Sequence, residues 1–483
     1  MALTEVDKGI PLLKVEDFAL SFRMYKKRLR EQRMQVIRKL NMTIHEGEIV
    51  AVIGASGSGK SLLADAILGI LPDNAVCEGT LFYKGDVLTG DRQERLRGKA
   101  ISLIPQSVSA LNPLMKIGKQ VQTAVQNGNS KIRQRSIFQK IRLPEGTDNY
   151  YPYELSGGMA RRVLTATAII GNPDLIIADE PTPGLDPQSL QEVTGYLKNL
   201  ADSGKGVMFI THDIDTALKA ADKVVIMNEG KTIETAVAED FTGKGEGLRE
   251  SYTKTLWNAL PQNEFIPISE SHFKNEIEDD RKLKVNGLAY RYSNAPYLFK
   301  DLSLSVNPGE VVGLFGYSGA GKTTLAQIIA GYLKPDNGTI EIDGRTVSRS
   351  GAHPVQLIWQ HPEKTVNPRW RMRQTLFEDG SLDRELLNDL GIKNEWLDRY
   401  PSELSGGELQ RFCLARALGS NTKYLIADEM TTMLDAITQA QIWHAVLQLV
   451  KQRHIGILAI SHDQHLLWRV SDRIINFDEL VKS

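Results

Sequence analysis

The sequence predicts an α/β protein made of two similar domains in tandem, each organised around a mainly parallel sheet. Three observations carry that prediction. The same ordered set of short motifs occurs twice along the chain. Several short runs in each half are apolar throughout, as expected of strands covered on both faces. Each half also has a glycine-rich loop set between such a run and a segment with helical spacing.

Taken along the chain, the first half opens its core with Glu48–Ile53, a strand-length apolar run that ends at GASGSGKS, Gly54 to Ser61. Ser61–Leu68 then has helical spacing. Further on come Gln106, LSGG (Leu155 to Gly158), LIIADE (Leu175 to Glu180) and THD (Thr211 to Asp213). The second half repeats the order. Glu310–Phe315 leads into GYSGAGKT (Gly316 to Thr323), with helical spacing over Thr323–Ala330; then follow Gln360, LSGG (Leu404 to Gly407), YLIADE (Tyr424 to Glu429) and SHD (Ser461 to Asp463). Leu175–Ala178, Val207–Ile210, Leu425–Ala427 and Ile457–Ile460 read as buried parallel strands. Met159–Ile170 and Glu408–Leu418 read as helices following the LSGG words.

The offset between halves falls from 262 residues at the glycine loop (54 to 316) to 249 at the signature serine (156 to 405). It is still 249 at the aspartate (179 to 428), so length variation lies before the signature and spacing after it is nearly fixed. Ser269–Lys282 is polar, charged and poor in aliphatics, which reads as a linker. The expected organisation is a first domain over 1–262, a linker over 263–280 and a second domain over 281–483.

Composition fits a globular chain. In 483 residues, 41% are hydrophobic and 24% charged, and 58 Lys and Arg nearly balance 59 Asp and Glu. A net charge of -1 gives no broad electrostatic grip on nucleic acid. The only cysteines, Cys77 and Cys413, exclude a disulfide scaffold or a cysteine zinc site and read as small buried fillers. No stretch approaches the ~18 apolar residues of a membrane-spanning helix. Met1–Pro11 lacks the apolar run of a secretion signal, so a soluble chain is expected, with membrane work left to partners.

The motif G-x-x-x-x-G-K-[ST] places glycines where backbone amides curl around phosphate oxygens, with the next helix directing its positive N-terminus at the same charge. Two such loops, each between strand and helix, point to nucleotide binding. The expected contacts are Gly54, Ser56, Gly57, Ser58, Gly59, Lys60 and Ser61 in one half. In the other they are Gly316, Ser318, Gly319, Ala320, Gly321, Lys322, Thr323 and Thr324. Lys60 and Lys322 reach phosphate; Ser61 and Thr323 offer hydroxyls to magnesium. Asp179 and Asp428 end apolar strands and place a carboxylate at the sheet edge for the same ion. Glu180 and Glu429, one residue on, suit a general base that polarises the attacking water. Ser156-Gly157-Gly158 and Ser405-Gly406-Gly407 open helices and can donate a hydroxyl and amides to an anion.

Together these words resemble the nucleotide-binding domain of ABC ATPases, twice over, across almost the whole chain. The resemblance implies, for each half, a P-loop NTPase core of mainly parallel sheet with an antiparallel β subdomain and a helical subdomain. It implies two ATP molecules with Mg2+ held head to tail, each glycine loop facing the other half's signature. By the same resemblance Gln106 and Gln360 sense magnesium, and His212 and His462 contact the γ-phosphate as part of the catalytic set with Glu180 and Glu429. Phe22 and Tyr292 are the expected adenine-stacking aromatics, with Tyr25 and Tyr290 as neighbours that compete, and Asp186 and Asp435 are the D-loop aspartates. Several positions depart from the family pattern: Met159 and Glu408 replace its signature glutamine, Met430 its proline after the second Walker B, and the first D-loop reads Pro183-Gly-Leu-Asp186 where a small polar pair is usual. None removes a catalytic group, so two competent sites are expected.

Local words narrow the branch. Ser109–Met115 and its counterpart Thr365–Arg369, the closing segment Glu250–Pro261, and Tyr151–Ser156 with Tyr400–Ser405 resemble ATPases of oligopeptide, dipeptide and nickel importers. That implies a motor on the cytoplasmic face of the cell membrane, moving peptides, nickel or metal-chelate and opine-like solutes. Its partners would be two permease subunits and an extracytoplasmic binding protein; no nucleic acid and no direct substrate contact are expected. The alternatives are a soluble tandem ABC ATPase acting on ribosomes and the motor of a sugar or vitamin importer. Among weaker features, Lys26–Arg33 reads as a solvated hairpin, His462 and His465 as unsuited to zinc, and Trp359 as packing.

Overall fold

The computed structural model describes the chain except residues 1–8, 27–29, 56, 126, 183–186, 266–281, 294, 318, 348–352, 380–382, 420 and 483. It divides into two compact units, Met1–Lys254 and Thr255–Ser483, with the division inside helix Ser251–Asn258.

In the first unit the antiparallel strands β1 (Leu13–Lys26) and β2 (Arg30–Ile44) form a long hairpin whose register runs from Leu13↔Ile44 to Lys26↔Arg30. The basic segment around residue 26 therefore extends this hairpin; its turn lies outside the described residues. The core strand β3 (Ile49–Gly54) is buried along its whole length. Next come β4 (Ala75–Tyr83), β5 (Asp86–Val87), β6 (Ile101–Ile104), β7 (Leu175–Asp179), β8 (Gly206–Thr211), β9 (Lys223–Asn228) and β10 (Lys231–Val237). The order β5-β4-β1-β2-β10-β9-β3-β8-β7-β6 joins an antiparallel part to a parallel one in a single sheet. The join is β10, antiparallel to β9 and parallel to β2 through Lys231↔Lys39. A smaller core around Ile117, Val121, Phe138 and Val163 packs the helices Ile117–Thr123 and Ser130–Lys140 against helix Gly157–Ile169.

The second unit repeats the plan with one difference. Its antiparallel sheet runs β12-β11-β14-β15, from β11 (Leu283–Tyr290), β12 (Phe299–Val306), β14 (Asn337–Ile342) and β15 (Arg345–Thr346). Its parallel sheet runs β16-β17-β18-β13-β19, from β13 (Val311–Phe315), β16 (Val355–Ile358), β17 (Tyr424–Asp428), β18 (Gly456–Ser461) and β19 (Arg473–Asn476). Where the first unit continues from β9 into β10, this one turns into helix Phe477–Lys482, whose buried Phe477 packs edge-on against Phe299 of β12. With no strand bridging the two parts among the described residues, they remain separate sheets.

Trp257 and Leu260 of the closing segment Glu250–Pro261, and Phe265 just after it, are buried. Within the second unit Arg469 donates to the Pro261 carbonyl at 2.8 Å and to that of Asn263. The expected linker falls almost wholly on residues outside the description.

One expectation is corrected. Cys413 is buried, but Cys77 on β4 is exposed. The alternation along β4 is broken at Gly79 (φ +83°), where the pairing with β1 shifts register between Glu16 and Ala19. A bulge of this kind turns the residues before it to the other face, so Cys77 does not share the inward face of Leu81 and Tyr83. Among the described residues no helix is long and apolar enough to cross a membrane.

Candidate nucleotide-binding sites

Parallel pairing brings three strand ends together in each unit. In the first, β8 lies between β3 and β7, so the glycine loop after β3, His212 after β8 and Asp179-Glu180 ending β7 share one sheet edge. In the second, β18 lies between β13 and β17 and does the same for Gly316–Thr323, His462 and Asp428-Glu429.

The loops are shaped by glycine. Gly59 (φ +96°) and Gly321 (φ +111°) are the left-handed residues from which helices Lys60–Leu68 and Lys322–Ile329 start. A β-carbon at Gly59 would lie 2.8 Å from Ile37, and one at Gly321 would lie 2.9 Å from Leu298. Both sites thus exclude a side chain by conformation and by space. Lys60 is buried and its Nζ donates to the carbonyls of Gly54 (2.7 Å) and Ala55 (3.0 Å). Lys322 does the same with Gly316 (2.7 Å) and Tyr317 (2.8 Å), and burial lowers its pKa. Ser56 and Ser318 lie outside the described residues.

Magnesium and a triphosphate fit what the loops offer. The Ser58 hydroxyl is buried and unpartnered inside the first loop, an orphan that a phosphate oxygen would satisfy. Ser61 Oγ meets Asp179 Oδ1 at 3.1 Å, and the Thr323 hydroxyl bonds Asp428. Each pair is a hard-oxygen donor set of the kind magnesium takes. Burial raises the pKa of Asp179, and that of Asp428 to about 6: both carboxylates sit where a cation would relieve their desolvation.

Beside each aspartate, a glutamate meets a histidine. His212 Nδ1 lies 2.9 and 3.0 Å from the two carboxylate oxygens of Glu180; His462 Nδ1 lies 3.1 Å from Glu429 Oε1. Burial opposes ionisation of Glu429, but the bond from His462 and the charge of Lys322 outweigh it and hold the carboxyl below its usual range. The same bond raises the pKa of His462. Glu180 (φ +46°) and Glu429 (φ +49°) both adopt the left-handed backbone region, uncommon for a side chain of this size. Nothing in the periodicity of the sequence signals that strain.

The family model described as "ABC transporter" matches residues 37–183 and 299–432, which is more than half of the chain. The chain belongs to the ABC transporter family. It carries the family's ATPase module twice, and its cofactors are ATP and Mg2+. It is 30% identical over 511 residues to the glutathione import ATP-binding protein GsiA of Salmonella typhimurium (strain LT2), covering 92% of this chain and 82% of that one. The Escherichia coli (strain K12) protein of the same name is 29% identical over 538 residues, covering 97% and 85%. Among solved structures, an RNase-L inhibitor matches with a TM-score of 0.62 at 23% identity, over 95% of this chain and 87% of that one. That likeness shows the fold alone.

Within this ABC ATPase the two units differ in detail. Gln360 Nε2 donates to Glu429 Oε2 at 3.1 Å, whereas Gln106 is exposed. Asp435 is buried and caps helix Ala436–Arg453, accepting from Thr438 N (3.1 Å) and Oγ1 (2.8 Å); Asp186 lies outside the described residues. Tyr292 is 52% exposed and its hydroxyl bonds Thr324 at 2.8 Å, beside the second loop. Phe22 is half-buried against the core of the first unit. The signature serines cap their helices: Ser156 Oγ accepts from Met159 N and Ser405 Oγ from Glu408 N, each at 3.3 Å. Glu408, where the family has glutamine, reaches back to Ser405 N at 2.8 Å and completes a capping box. Sequence reasoning missed Arg161, whose Nη1 donates to the Pro181 carbonyl at 2.8 Å, directly after Glu180. The signal was present as a basic residue in the first turns of the signature helix.

Proposed function

We propose that this ABC ATPase is the motor of an importer for small peptide-like solutes, with two ATP sites on one chain. One observation carries the ATPase reading: the carboxylate and histidine meet at about 3 Å in both units, each beside its own glycine loop. The import reading is supported by the relatives named for glutathione import, which align with nearly the whole chain. Glutathione is itself a short peptide, which favours peptides over nickel or opine-like solutes. The motor would act at the cytoplasmic face of the membrane beside two permease subunits and an external binding protein. The domain limits proposed for it are 1–262 and 281–483.

The proposed roles follow from charge and reach. Lys60 and Lys322 leave their loop carbonyls for phosphate oxygens, joined by backbone amides of Gly57–Ser61 and Gly319–Thr323. Ser61 with Asp179, and Thr323 with Asp428, hold magnesium, which neutralises phosphate charge when bound. Glu180 and Glu429 orient and polarise the attacking water and take its proton, while His212 and His462 fix those carboxylates and turn toward the γ-phosphate. Asp435 and its counterpart Asp186, with Ser156–Gly158 and Ser405–Gly407, would sense the state of the phosphate. Phe22 and Tyr292 are proposed for adenine, and Gln106 and Gln360 to report on magnesium.

Affinity purification of the chain from detergent-solubilised membranes tests the import reading. Co-purification of two polytopic membrane proteins is expected; ribosomal proteins without permeases would overturn it.

A further inference from the structure

In the first unit a cavity of about 470 Å3 lies between the signature helix Gly157–Ile169 and helix Pro187–Asp202. A space of that size holds an organic molecule, not a single water. Its wall carries Lys140, Arg142, Arg161 and Arg162 against one carboxylate, Glu192. Glu192 is shared between Arg142 (3.2 Å) and Arg162 (3.4 Å), and Arg161 donates to Pro181, so the lining keeps an excess of positive charge. Ile141, Val193, Tyr196 and Leu197 supply an apolar remainder.

Gly195 indicates that the space is kept open. It lies inside a 16-residue helix, where glycine is destabilising relative to alanine. Its backbone is not among the left-handed glycines, and a β-carbon added there would meet nothing within 4 Å. Neither conformation nor close packing requires a glycine; what its lack of a side chain does is leave the cavity unfilled. The second unit carries other side chains at the equivalent place. Keeping the 249-residue offset that relates Asp179 to Asp428, Gly195 corresponds to His444 and Arg162 to Arg411. Arg411 keeps the contacts of its counterpart, donating to Gln441 Oε1 (3.1 Å) and the Leu390 carbonyl (2.7 Å) as Arg162 pairs with Glu192 (3.4 Å) and donates to the Arg142 carbonyl (3.0 Å), so the distinguishing change is the imidazole of His444 where the first unit has no side chain.

We propose that this cavity is an effector site for a small organic anion with an aromatic or aliphatic body, present in the first unit. The cations would take its charged group, and the apolar wall its body. Gly158 of the signature and Pro181, which follows Glu180, also line the space. An occupant therefore touches the two elements that flank hydrolysis, and its binding would change ATP turnover.

The test uses the full chain, saturating Mg-ATP and the fluorescent anion 8-anilinonaphthalene-1-sulfonate. One saturable site is expected, not displaced by ATP. Gly195→Leu, which fills the space from a helix-favouring residue, should abolish it, and Arg142→Gln should weaken it about tenfold, the effect of losing one charge-assisted contact. The probe should change ATP turnover about fivefold in the wild type, within the usual range of coupling between sites, and not in Gly195→Leu. Absence of saturable binding, its retention in Gly195→Leu, its displacement by ATP, or unchanged turnover would each overturn the proposal. Should Gly195→Leu fail to fold, undiminished binding in Arg142→Gln overturns it equally.

Discussion

Asp428 combines burial with proposed function in a way that stability measurements can expose. Its side chain is 4% exposed at the end of β17, and desolvation raises its pKa from the ordinary 3.8 to about 6, despite the hydrogen bond from Thr323. A carboxyl with a raised folded-state pKa destabilises the fold as pH climbs through that window, because the unfolded chain ionises first. Without magnesium the cost at neutral pH is roughly 3 kcal/mol, from 1.36 kcal/mol per tenfold shift in the equilibrium. Asp428→Asn removes the charge and keeps the shape. In EDTA, without nucleotide, the variant should be up to about 3 kcal/mol more stable than the wild type near pH 7. The advantage should shrink as pH falls below about 6 and vanish below about pH 3, where wild-type Asp428 is protonated in both states. All six tryptophans fall between Trp257 and Trp468, inside the second unit, so tryptophan fluorescence in urea follows that unit's unfolding. The same variant should lose ATP turnover, since the lost carboxylate is the proposed magnesium ligand; stability and function trade against each other at such a site. A variant no more stable than the wild type at pH 7, or an advantage that does not change with pH, would refute the reasoning.

Other outcomes follow from the same geometry. Glu180→Gln combined with Glu429→Gln should reduce ATP hydrolysis by about 100-fold or more while fluorescent-nucleotide binding persists, and hydrolysis near the wild-type rate would remove both glutamates from the role of base. Gly59→Ala forces a side chain into the left-handed region against Ile37, and nucleotide binding at the first loop should be lost in equilibrium titration. Glu408→Ala opens the capping box at Ser405 and should lower the second unit's stability by about 1 kcal/mol in urea unfolding, whereas Met159→Ala, which has no such partner, should leave cap stability unchanged. Arg161→Ala frees the Pro181 carbonyl beside Glu180 and should slow turnover more than it weakens ATP binding, a split that steady-state kinetics resolves.

The sequence by itself determined whatever depends on neighbours along the chain. The loop spacings of 54–61 and 316–323, the apolar strands that end at Asp179 and Asp428, and the helices after each signature follow from local periodicity and from where glycine allows a tight turn. Their duplication determined the family and two domains. Tertiary structure decided what depends on distant segments meeting. It paired His212 with Glu180 and His462 with Glu429 across adjacent strand ends, placed Gln360 but not Gln106 on its glutamate, and turned Cys77 outward through a bulge. It brought Arg469 onto the Pro261 carbonyl, some two hundred positions earlier in the chain. It also left the cavity over Gly195 unfilled. In each case the deciding force is packing or a hydrogen bond between residues tens to hundreds of positions apart. No local spacing encodes such contacts, because only the folded sheet order fixes which strand ends are neighbours.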